Sequence, residues 1–159
     1  MLPRDYAGQN CSLARSLEIL GERWTLLILR DAFQGVTRFE LFQRRLKIAP
    51  NILTKRLTTL TEAGILERRR YQERPERFEY VLTEKGAQLL PVTVDLMRWG
   101  DANLAPEGPP AVLRHAGCGG ELGRGAICQE CGRPVEVADV EWFRGPGTHK
   151  TPGERMVPG

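Results

Sequence analysis

Residues 39–64 read FELFQRRLKIAPNILTKRLTTLTEAG, and this stretch decides the fold. Phe39, Phe42 and Leu46 share one side of a short helix, "FELFQRRL". Lys47-Ile48-Ala49-Pro50 interrupts it. A second helix then runs from about Asn51 to Ala63, and Gly64 is placed to end it in the left-handed conformation. Helix, short turn, helix in so compact a form is a helix-turn-helix unit. On a wheel of about 100° per residue, Leu53, Leu57 and Leu60 share the buried side of the second helix. Asn51, Lys55, Thr58 and Glu62 lie opposite, Thr54 and Thr59 stand at the edges, and Arg56 sits on the flank.

Working outward, "ILERRRY" and "RFEYVLT" flank "QERPE" over residues 65–83. Apolar and polar residues alternate in the second segment, so these are two strands around a charged loop. A hairpin directly after a helix-turn-helix is a wing. Arg68 and Arg70 point to one face and Arg69 to the other, because strand neighbours alternate. Upstream, residues 12–33 read as two helices broken at Gly21, the second almost wholly apolar and hence buried. Downstream, Thr83 is placed to cap a long helix through residue 105, with a bend at Pro91. That helix carries two apolar stripes: Leu89, Val92, Leu96 and Trp99, and Leu90, Val94 and Met97. A surface helix needs one, so the second, with Leu90, Val94 and Met97, is expected on a partner subunit.

Charge is uneven. Residues 38–77 hold 11 Lys/Arg against 5 Asp/Glu, whereas residues 106–159 hold 6 against 7. A basic segment of this kind is the footprint of an anion, and nucleic acid is the usual one. An outward helix face of Asn51, Thr54, Lys55, Arg56 and Thr58 suits a major groove, where Asn and Lys reach base edges and Thr meets a base or a phosphate. Arg38, Arg68, Arg69, Arg70, Arg74 and Arg77 then serve the phosphates or an adjacent minor groove, some of them shared with Glu67, Glu73 and Glu76. No run of about 18 apolar residues is present and the N-terminus has no apolar leader, so the expected compartment is the cytoplasm and no membrane is a partner.

The four cysteines are Cys11, Cys118, Cys128 and Cys131. "HAGCGGELGRGAICQECG" spaces His115-x2-Cys118-x9-Cys128-x2-Cys131, enough for a closed tetrahedral zinc site in a unit too small to fold from burial alone. The alternatives are a Cys128/Cys131 redox pair, and a ribbon that packs as core without metal. The organisation expected is a mainly α winged helix-turn-helix domain over residues 1–104, a linker over 105–110, a small ribbon-like extension over 111–143, and a mobile tail over 144–159 with 7 Gly or Pro in 16 residues.

The order of motifs, "CSLARSLEILGERWTLLILRDAFQGVTRFELFQRRL", "LTKRLTTLTEAGILERRRY", "FEYVLTEKGAQLLPV" and "RWG", resembles the HxlR-type branch of winged helix-turn-helix regulators, related to the MarR family. The likeness covers roughly residues 11–101. It implies a homodimeric DNA-binding transcriptional regulator that reads an inverted repeat in double-stranded DNA. It places the dimer contact on the N-terminal helix, where Leu13 lies, and on the helix after the wing. Cys11 matches a position that serves in some such proteins as a sensor of oxidants or electrophiles, and Arg15 lies one turn away. In this chain Lys47-Ile48-Ala49-Pro50 stands where the family usually has Gly-Ile-Ser. No Ser-His-Asp set, phosphate loop or paired carboxylates suggest an enzyme. The competing functions are a thiol redox protein using Cys128 and Cys131, and a protein-interaction module. The effector, if any, is unknown from sequence.

Overall fold

The computed structural model describes Gly8 and residues 10–157. It divides into two compact units, Met1–Glu84 and Lys85–Gly159. The sequence pattern places a domain boundary after the long helix; in the second unit that helix docks on the 3-10 turn at Arg124–Ala126.

In the first unit, α1 (Ser12–Leu20) and α2 (Thr25–Phe33) are separated around Gly21, whose close approach to the Leu17 carbonyl leaves no room for a Cβ. Helices α3 (Phe39–Leu46) and α4 (Pro50–Glu62) follow. Lys47 makes the turn between them in the left-handed region at φ 52, a conformation glycine adopts without strain. Pro50 opens α4 at its first turn, where its missing N–H costs nothing, and Ala49 provides no side-chain cap. Gly64, at φ +69, ends it as expected. Ile28, Leu29, Phe33, Val36, Phe42, Ile48, Leu53, Leu57, Leu60 and Leu66 make the core.

One charged group lies inside this core. Asp31 on α2 is fully buried, and Arg30 (2.8 Å) and Arg45 of α3 (3.2 Å) both pair with it. Arg45 also donates to Gln34 at 2.6 Å. The network staples α2 to α3 and leaves the buried carboxylate with partners on both oxygens.

The wing strands are β1 (Leu66–Glu73) and β2 (Glu76–Leu82), antiparallel, with Leu66 opposite Leu82 and Arg68 opposite Tyr80. They run further than the alternation predicts. A bulge at Tyr71 absorbs one residue, Gln72 and Glu73 rejoin the ladder, and only Arg74-Pro75 remains as the turn. Tyr80 N–H donates to Thr37 O at 2.7 Å, and Arg38 bridges Glu79, so the residues leading into α3 extend the sheet. The wing and the helix-turn-helix are thereby tied together through backbone.

A short helix, α5 (Glu84–Ala87), is followed by α6 (Leu90–Leu104). The single long helix expected here is two, because Pro91 cannot donate to the Ala87 carbonyl and instead starts α6. In the second unit, β3 (Ala111–His115) pairs antiparallel with β4 (Val140–Arg144), placing Leu113 opposite Trp142. Leu113, Leu122, Cys128, Val135 and Trp142 are buried.

Two expectations change here. Leu90 and Val94, read as partner-facing, are 2% and 3% exposed, and Met97 is half-buried. Val94 and Met97 line a cleft with Leu113 and Leu122 of the extension. The other stripe faces water: Val92, Leu96 and Trp99 are exposed. Nor does the tail run loose from Arg144. Met156 N–H donates to Trp142 O and Arg144 N–H to Glu154 O, while Arg155 pairs with Glu141 and Arg144 with Glu154. These pairs return residues 153–156 along β4, with no buried side chain among the described residues after Arg144.

Candidate nucleic-acid interface and thiol cluster

On α4, Leu53, Leu57 and Leu60 are buried, and Asn51, Thr54, Lys55 and Thr58 are exposed. The outer surface of the first turns is thus a strip of short hydrogen-bonding groups on a rigid helix. The exposed Thr54 donates its hydroxyl to Pro50 O at 2.9 Å. Arg56 departs from the expected set. It is 8% exposed and pairs with Glu22 at 3.4 Å, on the inner side of the helix. At three residues from Leu53 and four from Leu60, it sits over the buried stripe, and its long stem can lie along apolar surface while the guanidinium reaches Glu22.

Every wing arginine is exposed, and their surroundings differ. The Arg68 guanidinium lies 3.4 Å from the Phe78 ring centroid, and that of Arg38 lies 4.7 Å from Tyr71. Such stacking orients a cation without neutralising it. Arg69 pairs with Glu67 at 3.2 Å, and Arg70 reaches Glu73 and Glu76 at 3.7 and 3.6 Å. Among the described residues, Arg74 and Arg77 have no acidic partner within ion-pair distance. Surface pairs of this kind contribute little and exchange readily for a phosphate. The aromatic platforms Tyr71 and Phe78 were not singled out in the sequence. Their signal was present in the interleaving of aromatic and basic residues in "RRRYQERPERF".

The second constellation lies in the extension. The Nδ1 or Nε2 atom of His115 and the Sγ atoms of Cys118, Cys128 and Cys131 all lie within 4.8 Å of one another. Cys118 Sγ is 3.4 Å from His115 Nδ1 and 3.5 Å from Cys128 Sγ; Cys131 Sγ is 3.4 Å from His115 Nδ1. Backbone turns build the group. Gly132 N–H donates to Cys128 O, and Gly119 N–H to His115 O, each closing a tight knuckle. Gly120 runs so close that a Cβ there would lie 2.6 Å from Cys128 Sγ. The N–H groups of Cys131 and Glu130 aim at Cys128 Sγ; with the neighbouring thiols they outweigh burial and pull its pKa down to about 6. For Cys118, the Gly120 N–H favours the thiolate, but Cys128, burial and Cys131 together raise it above the ordinary thiol value. The four groups are close enough to bind a metal ion. Cys11 stands apart from them in sequence, exposed at the N-terminus of α1, while Arg15 donates to Asn10 at 2.9 Å.

A family model described as HxlR-like helix-turn-helix matches residues 19–108. The chain belongs to the HxlR-like helix-turn-helix family. An HTH-type transcriptional regulator of Mycobacterium tuberculosis, itself uncharacterized, is 48% identical over 137 residues, 86% of this chain and 87% of the relative. Among solved structures, PA1607, described as a candidate transcription factor, is 34% identical with a TM-score of 0.60, and the match covers 87% of each chain. The redox regulator HypR in its reduced form is 31% identical with a TM-score of 0.55, over 58% of this chain and 93% of its own. The 137-residue match outruns the 90 residues of the family region, so it includes part of the extension.

This HxlR-like chain is therefore a transcriptional regulator with a DNA-binding helix-turn-helix. Its relatives are regulators, not enzymes. No helix among the described residues is long and apolar enough to cross a membrane.

Proposed function

We propose that this HxlR-like regulator binds duplex DNA as a homodimer and reads an inverted repeat. The observation that carries the reading is the exposed Asn51, Thr54, Lys55 and Thr58 strip on α4, held over buried leucines in the same unit as an arginine-bearing hairpin. Asn51 and Lys55 contact base edges, Thr54 and Thr58 contact bases or phosphates, and Arg38, Arg68, Arg69, Arg70, Arg74 and Arg77 contact the backbone or minor groove. Arg56 is not part of this surface. The dimer uses exposed apolar side chains on two helices: Leu13 and Leu17 on α1, and Val92, Leu96 and Trp99 on α6. Two-fold symmetry in the protein then appears as two half-sites about 10 base pairs apart, or a multiple of that. Selection from random duplexes tests this. Enrichment of a palindrome by the wild type, lost in the Asn51→Ala/Lys55→Ala variant, supports it. Enrichment of single half-sites with no symmetric partner refutes the dimeric reading.

The same chain is proposed to hold Zn2+ through His115, Cys118, Cys128 and Cys131. Tetrahedral zinc with ordinary Zn–S and Zn–N lengths places its donors roughly 3.6–3.8 Å apart, and the separations of 3.4–3.5 Å lie close to that. Four donors make a closed structural site, which supplies folding energy to a unit with few buried apolar residues. Cys11 is the proposed thiol sensor of the regulator domain. Its exposure and the likeness to the redox regulator HypR support that role.

A further inference from the structure

The donor set is open to water on one flank. Cys118 and Cys131 are exposed and His115 is half-buried; Cys128 alone of the four is buried. Cys118 stands on a surface turn closed by Gly119 at φ +74, and its Sγ is 3.5 Å from that of Cys128. A disulfide needs about 2.05 Å, so the exposed turn has to move by roughly 1.5 Å, with no rearrangement of the buried partner.

We propose that the His115/Cys118/Cys128/Cys131 centre is an oxidant-responsive site of its own, taking hydroperoxides as its substrate class and acting independently of Cys11. The proposal rests on the reading that the centre holds Zn2+. Zinc binding would hold the exposed Cys118 as a thiolate, and that sulfur attacks hydrogen peroxide: an S–O bond forms, the O–O bond breaks, and hydroxide leaves. The Cys128 thiolate then attacks Cys118 Sγ: the S–S bond forms, the S–O bond breaks, and a second hydroxide leaves. Two thiolates lose two electrons and the peroxide gains them. Zinc changes no oxidation state. With Cys118 and Cys128 joined, only Cys131 and His115 of the four donors would remain to hold Zn2+, too few for a closed site.

The centre closes the base of a hairpin whose tip holds α6. Leu122 bridges Cys128, and Gly123 N–H donates to Ile127 O at 2.7 Å, so the strands meet at the ligand. At the tip, Gly125 N–H donates to Asp95 Oδ1 at 2.8 Å; at the base, Arg98 donates to Leu122 O at 2.9 Å. Asp95 and Arg98 are one turn apart on α6 and alternate with the exposed Leu96 and Trp99. Opening the base loosens both attachments beside that apolar face.

The test uses the full chain as purified, wild type and Cys11→Ser. Hydrogen peroxide is added with a chromogenic zinc chelator present, and the disulfides are mapped by mass spectrometry. The expected result is release of about one zinc per chain and a Cys118–Cys128 linkage, equal in both proteins, with faster hydrogen exchange over residues 122–126. Zinc that stays bound while peroxide oxidises Cys11 overturns the inference and leaves the metal reading intact. A Cys118 linked to Cys11, or zinc release that disappears in Cys11→Ser, also overturns it. A chain that holds no zinc when purified overturns the metal reading, and the inference falls with it.

Discussion

On α4, Arg56 and Lys55 are adjacent and carry the same charge, but Arg56 is 8% exposed and reaches Glu22 while Lys55 faces water. Removing Arg56 takes away packed methylenes and a cation whose partner is itself largely exposed. Arg56→Ala is therefore expected to cost about 1–2 kcal/mol of stability with no change in the salt dependence of DNA binding, as read by denaturant titration beside anisotropy. Asn51→Ala and Lys55→Ala are expected to leave stability within about 0.5 kcal/mol and to weaken discrimination among sequences by about 1–3 kcal/mol. Arg56 was read as a flank position because helical spacing gives an angle and not a neighbour; the carboxylate that draws it inward lies 34 positions away. At Gly120, a Cβ would meet Cys128 Sγ at 2.6 Å and Glu130 Cβ at 2.5 Å. Gly120→Ala should lower metal content measured by mass spectrometry while the helix-turn-helix keeps its DNA affinity; unchanged metal content would show that the knuckle yields.

Among the elements, α2 and α3 are joined through Asp31, which is fully buried between two arginines. Asp31→Ala leaves Arg30 and Arg45 without their shared acceptor. The expected loss is about 1–3 kcal/mol, measured by chemical denaturation, since both arginines keep some access to water; a loss under about 0.5 kcal/mol would mean water serves them equally well, as it does in a surface pair. The helices themselves were legible, because Leu53, Leu57 and Leu60 repeat at helical spacing and Gly64 and Pro50 punctuate the ends. The hairpin was legible in its alternation, but not the Tyr71 bulge, which depends on how the two strands pair. On α6 both stripes were visible, and the one expected on a partner, with Leu90 and Val94, is buried within the chain. Periodicity cannot say which stripe meets the extension, and here Val94 does while Val92, Leu96 and Trp99 stay exposed. If that exposed face is the dimer contact, Leu96→Glu will convert a dimer to a folded monomer in sedimentation; a dimer that persists places the contact elsewhere.

At the scale of the whole molecule, charge and chemistry are divided along the chain. The net positive segment covers α3, α4 and the wing, while the residues after 105 are close to neutral and hold three of the four thiols. The candidate metal set was legible because ligand spacing is a local property: a Cys-x2-Cys knuckle with His115 and Cys118 before it. That the last residues return along β4 was not, since the ion pairs that hold them join Arg144 to Glu154 and Arg155 to Glu141 across the strand. The central claim is that α4 and the wing bind duplex DNA. The measurement that tests it most directly is the salt dependence of duplex affinity for the wild type and for Arg69→Ala/Arg74→Ala/Arg77→Ala. The account predicts a steep fall of log K with log salt, shallower by about 2–3 in the triple variant, because each phosphate contact contributes a slope of about 0.9. A slope that the three substitutions leave unchanged would contradict it.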